Sequence, residues 1–248
     1  MLQLKEIKSL IENSHQVVIF TGAGISTDSG VPDYRSPGGI WQKYEPVYFD
    51  QFMSDIQARR RYWKMKKESY EIYKKAKPNS HHLKINDWYK DGHVSGVITQ
   101  NIDGFHYMAG IDKKDVVEIH GTDRDVMCLS CDFRVLASDI FESDDLEHPP
   151  VCPDCEGFLK PATISFGQSL KPEDLRRAHK LIEDSTVFIT IGSSLQVQPA
   201  ASFPLMAKNQ GATSIIVNRE PTPLDSIADF VFTGEISDFF SSFEKDKC

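Results

Sequence analysis

Val17-Val18-Ile19-Phe20-Thr21-Gly22-Ala23-Gly24-Ile25-Ser26-Thr27 is a short apolar run that breaks on a glycine-rich turn. A strand with one wet face alternates polar and apolar residues, so an unbroken apolar run bounded by Thr-Gly predicts a strand buried on both faces. Gly22 and Gly24 allow close backbone approach, and N–H groups opening a following helix attract a pyrophosphate. The usual dinucleotide fingerprint wants a third glycine, and residue 27 is threonine. An ordinary strand-to-helix turn also explains Gly-Ala-Gly, so this turn by itself names no ligand.

Outward from that run, similar apolar segments recur at Val94–Thr99, Val116–Ile119, Val187–Ile191 and Ser214–Val217. Helical spacing precedes the first (Leu4, Ile7, Leu10, Ile11) and separates others at Pro172–Ile182 and Pro199–Asn209. Pro172 opens its segment with Glu173 and Asp174 in the first turn, where the helix dipole favours acids. The alternation predicts an α/β fold, a Rossmann-like doubly wound parallel sheet. Two stretches interrupt it. Residues 42–79 are helical, aromatic and basic; residues 121–165 hold paired cysteines and an acidic, Pro-containing connection, Ser138–Pro150. The expected organisation is a nucleotide-binding domain of residues 1–41, 80–120 and 166–248. A helical insertion (42–79) and a metal-binding insertion (121–165) form a smaller lobe.

The 248 residues, 40% of them hydrophobic, suffice for a full core without cross-links. A formal net charge of −8 argues against general affinity for nucleic acid. No run approaches the roughly 20 apolar residues of a membrane helix, and the beginning lacks the basic end of a signal peptide. A cytoplasmic protein is expected. The basic stretch Arg59-Arg60-Arg61-Tyr62-Trp63-Lys64-Met65-Lys66-Lys67 reads as the solvated face of a helix whose Tyr62, Trp63 and Met65 pack inward. A docking surface for an acidic partner is the other reading.

Four of the five cysteines form two Cys-x-x-Cys pairs, Cys128/Cys131 and Cys152/Cys155. Two such knuckles place four thiolates at the corners of a tetrahedron, the arrangement of a structural zinc ion. Pro153 and Gly157 suit the tight turns. Disulfides are the alternative, disfavoured without an export signal, and a redox dithiol needs only one pair. With four protein ligands no coordination position is open, so this Zn2+ holds shape and does no chemistry. Cys248 stands apart as a frayed terminal thiol.

Chemistry-bearing residues collect where strands are expected to end, which is where ligands bind in parallel sheets. Asp28–Trp41 is rich in Gly, Pro and Ser yet holds Asp33, Tyr34 and Arg35, the composition of a functional loop. Arg35 can neutralise a phosphate and Tyr34 can lie against a flat ring. Thr99-Gln100-Asn101-Ile102-Asp103 offers amide and carboxylate groups for a carboxamide and ribose hydroxyls. His120, before Gly121, is placed as a general base near neutral pH. Gly192-Ser193-Ser194 and Asn218-Arg219-Glu220 suit an adenosine moiety.

Together these segments resemble the sirtuin family of NAD-dependent protein deacylases, in its microbial-type minimal catalytic domain. GAGIS, GVPDYRSPGGIW, TQNIDGFH, HG, CxxC-x20-CxxC, KPATISFG, GSSLQVQPAA and VNRE occur in the family's order over nearly the whole chain. The resemblance implies NAD consumed as co-substrate, one structural Zn2+, and acylated-lysine proteins or peptides as partners, with no membrane or direct nucleic-acid partner. It makes His120 the catalytic base, which acts on the ribose after the acyl oxygen has displaced nicotinamide. Asn101 orders ribose and water, and Asp103 binds the carboxamide. Gly22, Ala23, Gly24, Thr27, Asp33, Tyr34 and Arg35 belong to the cofactor-binding turn and loop, with Gln100 and Ile102 as further contacts. Gly192, Ser193, Ser194, Asn218, Glu220 and Ile236 hold the adenosine end. Ile164, Phe166, Gly167 and Val197 bind substrate, whose peptide adds as a strand between Phe166–Gln168 and Leu195–Val197.

The chain departs from the family pattern at Tyr34, where phenylalanine is frequent, at Gln168 in place of glutamate, and at Lys160 in place of arginine. Tyr34 and Arg61-Tyr62-Trp63 resemble the branch with lipoamidase-like members. The Tyr-x-x-Arg pair that reads succinyl and malonyl groups is missing, because Tyr62, Tyr70 and Tyr73 are not followed by Arg three residues later. This disfavours a dedicated desuccinylase. Two other functions compete with deacylation: protein mono-ADP-ribosylation, and a non-catalytic binding module with a zinc ribbon.

Overall fold

A computed structural model describes residues 2–143 and 148–243. Cys248 and part of the acidic connection, residues 144–147, lie outside the described residues. The strands are β1 (Val17–Thr21), β2 (Val94–Thr99), β3 (Val116–Glu118), β4 (Gly121–Cys128), β5 (Arg134–Leu136), β6 (Leu159–Thr163), β7 (Val187–Ile191), β8 (Thr213–Asn218) and β9 (Phe230–Thr233). Six form one sheet in the order β3-β2-β1-β7-β8-β9, and every pairing in it is parallel. The chain runs outward from β1 to β3, crosses back, and runs outward the other way from β7 to β9. This is the doubly wound arrangement, with its switch point between β1 and β7.

The apolar runs form this sheet because both of its faces are covered. Along β1, Val17 and Ile19 join a core with Ile7, Ile11, Trp88 and Phe239. Val18 and Phe20 point the other way, into a core with Ala178, Ile182 and Phe203. All five residues of β1 and of β7 are buried, so neither strand has room for the alternation of a half-wet sheet. Pro172–Asp184 is helical as its acidic start predicts.

Two local expectations are corrected. The segment after Gly22 is a 3-10 helix, Ala23–Ser29, because Gly24 N–H bonds across to Gly192 O at 2.9 Å rather than to its own turn. The Pro199–Asn209 helix divides into a 3-10 turn, Ala200–Ser202, and an α-helix, Phe203–Asn209. The edge strand β9, short and only partly buried, is an addition to the expected set of strands.

The two insertions share one core. Phe52, Tyr62 and Trp63 from the first pack with Val126, Phe141, Cys152 and Leu159 from the second. The second insertion carries its own antiparallel sheet, β5-β4-β6. Tyr62, Trp63 and Met65 are buried and Arg60, Arg61 and Lys64 exposed, as a solvated helix face requires. Lys66 departs from that reading, since it is buried with the aromatic residues.

Candidate active site

The carboxyl ends of β1 and β7 meet at the switch point. There, a Cβ on Gly22 would lie 2.6 Å from Gly192 O and 2.8 Å from Ser193 Cα, and one on Gly24 would lie 2.9 Å from Gly192 Cα. The glycines are therefore required by the packing of two turns against each other. Gly22 N–H and Ile25 N–H, like that of Gly24, are engaged within the protein. Close approach to a ligand is not the primary reason for Gly-Ala-Gly, and these three N–H groups do not serve a pyrophosphate.

A cavity of about 690 Å³ opens at this point and extends to the small lobe. Apart from Asp103, every cofactor- and substrate-binding position singled out from the sequence lines it. Asp103 stands behind the wall: its carboxylate accepts from Ser26 Oγ at 2.8 Å and Phe105 N–H at 3.0 Å. Burial raises its pKa above the ordinary carboxylate value, against those two hydrogen bonds. Asn101 Nδ2 donates to Gly22 O at 3.0 Å, so its orientation is set by the first turn. Gln100 Nε2 donates to Ser193 Oγ at 2.7 Å, tying the end of β2 to the end of β7.

His120 sits between β3 and β4. Its Nδ1 lies 3.1 Å from Gln100 O. A carbonyl can only accept, so Nδ1 carries the hydrogen and Nε2 keeps its lone pair. Burial lowers the His120 pKa, with the Gln100 bond opposing, which keeps the ring neutral at pH 7. A neutral imidazole of fixed tautomer in a cavity wall can act as a general base. The backbone on either side is tightly set: His120 O accepts from Ile164 N–H at 2.8 Å, and Gly121 has φ +74 with Ala162 O 2.1 Å from any Cβ. Gly121→Ala should cost about 3 kcal/mol or more, combining left-handed strain with a backbone overlap. Urea denaturation checks this, and a loss below about 1 kcal/mol would show that the turn rearranges freely.

The mouth of the cavity is aromatic and loop-built. Tyr34 packs on Trp41 with ring centroids 5.1 Å apart, and Trp41 on Phe166 at 6.0 Å. Asp33 Oδ1 accepts from the N–H groups of Arg35 at 3.0 Å and Ser36 at 2.8 Å, so Asp33 shapes the loop. Gln168 Oε1 likewise accepts from Ser165 N–H at 3.1 Å, closing the turn that carries Phe166 and Gly167. Sequence reasoning missed Lys66, Asp123 and Thr163, which line the small-lobe side of the cavity together with Tyr62 and Tyr73.

The cysteines converge at one point. The four sulfurs lie within 4.8 Å of one another, with Cys128–Cys155 and Cys131–Cys152 separations of 3.6 Å. Thiolates at 2.3 Å from a tetrahedral zinc stand about 3.8 Å apart, whereas a disulfide needs about 2 Å. The donor set and its geometry fit zinc. Ser130 N–H donates to Cys128 Sγ at 3.3 Å, and a Cβ on Gly157 would lie 3.0 Å from the same sulfur. Gly157 thus clears space for the thiolate, while the left-handed residue of the knuckle is Glu156, φ 58.

Residues 22–199 match the model of the Sir2 family. An NAD-dependent protein deacetylase of Rhodopseudomonas palustris is 41% identical over 241 residues, 97% of this chain and 95% of that protein. An NAD-dependent protein deacylase 1 of Caldanaerobacter subterraneus is 36% identical over 98% of this chain and 99% of its own length. A solved structure of a Sir2 variant with deacetylated p53 peptide and 3'-O-acetyl ADP ribose superimposes with a TM-score of 0.88 at 34% identity, covering 98% of each chain. Sir2Tm bound to a propionylated peptide gives 0.84 at 33% identity, again over 98% of each chain.

Proposed function

The chain belongs to the Sir2 family, and from that premise we propose that it is an NAD-dependent protein-lysine deacylase. It transfers the acyl group of a modified lysine to ADP-ribose and releases nicotinamide. The observation that carries this reading is His120. Its tautomer, held by Gln100 O, leaves an unprotonated Nε2 on the wall of a cavity large enough for a dinucleotide and an acyl-lysine side chain.

In this reading NAD supplies the ribose carbon that receives the acyl oxygen. The chain's residues position, exclude water and take a proton. Asn101, aimed by Gly22 O, orders the ribose. Ile102 and the buried Asp103 form the nicotinamide end, Asp103 for the carboxamide, with its carboxylate held by Ser26 Oγ and Phe105 N–H. Ser193, Ser194, Asn218, Glu220 and Ile236 face the adenosine, and Arg35 on the exposed loop faces the phosphates. Ile164, Phe166, Gly167 and Val197 flank the acyl-lysine, and a peptide would pair along those two segments as a strand. Cys128, Cys131, Cys152 and Cys155 would hold a zinc ion that fixes the small lobe. Reduced thiols suit a cytoplasmic location, and no helix among the described residues is long and apolar enough to cross a membrane. The shared core of the two insertions supports their grouping as one lobe beside a domain of residues 1–41, 80–120 and 166–248.

Mass spectrometry of the protein with NAD and acyl-lysine peptides tests the reading. Peptides should lose the acyl group as nicotinamide and O-acyl-ADP-ribose appear. Nicotinamide release with intact peptides and a mass gain on protein would instead identify ADP-ribosylation, and no turnover would leave a binding module.

A further inference from the structure

His106 closes the TQNIDGFH segment on the short helix Phe105–Met108, with its ring 1% exposed and away from the cavity lining. A polar ring costs free energy to bury unless it is hydrogen-bonded. Among the described residues the ring has one protein partner, Thr21, whose Oγ1 lies 2.8 Å from Nε2. Burial pushes the His106 pKa down to about 3, so the ring is neutral and carries a single N–H. Thr21 Oγ1 gives its own hydrogen to Thr99 Oγ1 at 2.7 Å. It can only accept from His106, and Nε2 therefore holds the ring hydrogen.

The two threonines lead straight to the reacting centre. They face each other at the last register position between β1 and β2, and both are buried. Thr21 O accepts from Gln100 N–H at 2.9 Å. Thr99 Oγ1 accepts from Asn101 N–H at 3.0 Å, as well as from Thr21. The N–H of Asn101 and the carbonyl of Gln100 belong to one planar peptide unit. Thr99 holds that plane at its N–H, and its oxygen takes the Nδ1 hydrogen of His120 at 3.1 Å. A tilt of the plane moves the oxygen away from His120.

We propose that His106 is a positioning residue for the catalytic base. Its Nε2–H, acting through Thr21 and Thr99, fixes the Gln100–Asn101 peptide plane whose carbonyl sets the His120 tautomer. His106 itself touches neither NAD nor substrate. Without that donor, Thr21 Oγ1 is a buried acceptor with an unfilled lone pair, and its hydroxyl is free to turn away from Thr99. The plane then loosens at Asn101 N–H, and His120 mixes its two tautomers. This role rests on the deacylase reading, in which an unprotonated Nε2 on His120 receives the proton.

Variants of the full chain separate a donor from a filler. Glutamine places an N–H donor where Nε2 stands, and methionine matches its length without one. With saturating NAD and an acetyl-lysine peptide, His106→Met should lower kcat by about tenfold, the scale of one unfilled buried hydrogen bond. The peptide KM should stay within about twofold, because the peptide segments are untouched. His106→Gln should restore kcat. In a Thr21→Val background, His106→Met should cost nothing further. Nitrogen-15 NMR of histidine-labelled protein reads the same effect without turnover: His120 should be the Nδ1–H tautomer in the wild type and in His106→Gln, and a mixture in His106→Met. Equal kcat in the Met and Gln variants, a full further loss in the Thr21→Val background, or an unmixed His120 tautomer in His106→Met overturns the proposal. If His106→Met does not fold, Thr21→Ser against Thr21→Val makes the same comparison, and equal kcat overturns it. A wild type that turns over no acyl-lysine peptide overturns the deacylase reading, and the NMR comparison then decides the positioning of His120.

Discussion

Replacing His120 by alanine is expected to lower kcat/KM for deacylation by about 10²–10⁴-fold, the range that a positioned general base contributes. The fold should survive, since the imidazole holds one side-chain hydrogen bond, to Gln100 O, and the backbone bond from Ile164 to His120 O does not need the ring. The pH dependence follows from the same site. Burial is the larger influence on His120 and depresses its pKa, with the Gln100 bond partly offsetting it. The neutral, proton-accepting ring therefore persists below the ordinary histidine value of about 6.5, and activity falls only as pH drops through that lowered pKa. Initial rates from pH 5 to 9 with a melting curve for the variant check both statements. Turnover retained in His120→Ala would remove His120 as the base. An acid limb centred above 6.5 would mean that a different group titrates.

Cys152→Ser is expected to lose the bound metal and lower the melting temperature by about 6–12 °C, the size of shift that roughly 3 kcal/mol produces in a chain of this length. Cys152 and Cys128 are each 1% exposed and belong to the same core as Phe52, Tyr62, Trp63 and Val126. Loss of a thiolate thus opens the metal site and puts a poorly partnered hydroxyl in an apolar cluster. The damage should reach the cleft, because β4 ends at Cys128 and begins at Gly121, beside His120. Zinc content by elemental analysis and a thermal melt are read on the same sample. An unchanged melting temperature would show that the four cysteines do not form a structural metal site.

The most legible part of the fold was the part with the strongest burial. β1 and β7 announce themselves because a strand covered on both faces must be apolar at nearly every position. β9, at the edge, is only four residues long and partly exposed. The paired cysteines were legible for a related reason: tetrahedral ligation demands four thiols at fixed short spacings, and few other purposes do. Lys66 was read as part of a solvated basic face because charge outweighed position. Its spacing carried the opposite signal, since Lys66 lies four residues after the inward-facing Tyr62 and three after Trp63, on the same side of a helix.

Local chemistry in the chain by itself determined the α/β class, the metal knuckles, and the residues gathered at strand ends, because burial and ligation act on neighbours in sequence. The tertiary structure alone decided what those residues face. Gly22 and Gly24 are glycines because Gly192 and Ser193 pack against them from a strand far along the chain. The His120 ring keeps Nε2 unprotonated because Gln100, just past the end of another strand, accepts from its Nδ1. The Lys66–Asp123 ion pair arises only when two separate insertions share a core. Electrostatics and close packing act through space, and a sequence lists no distances.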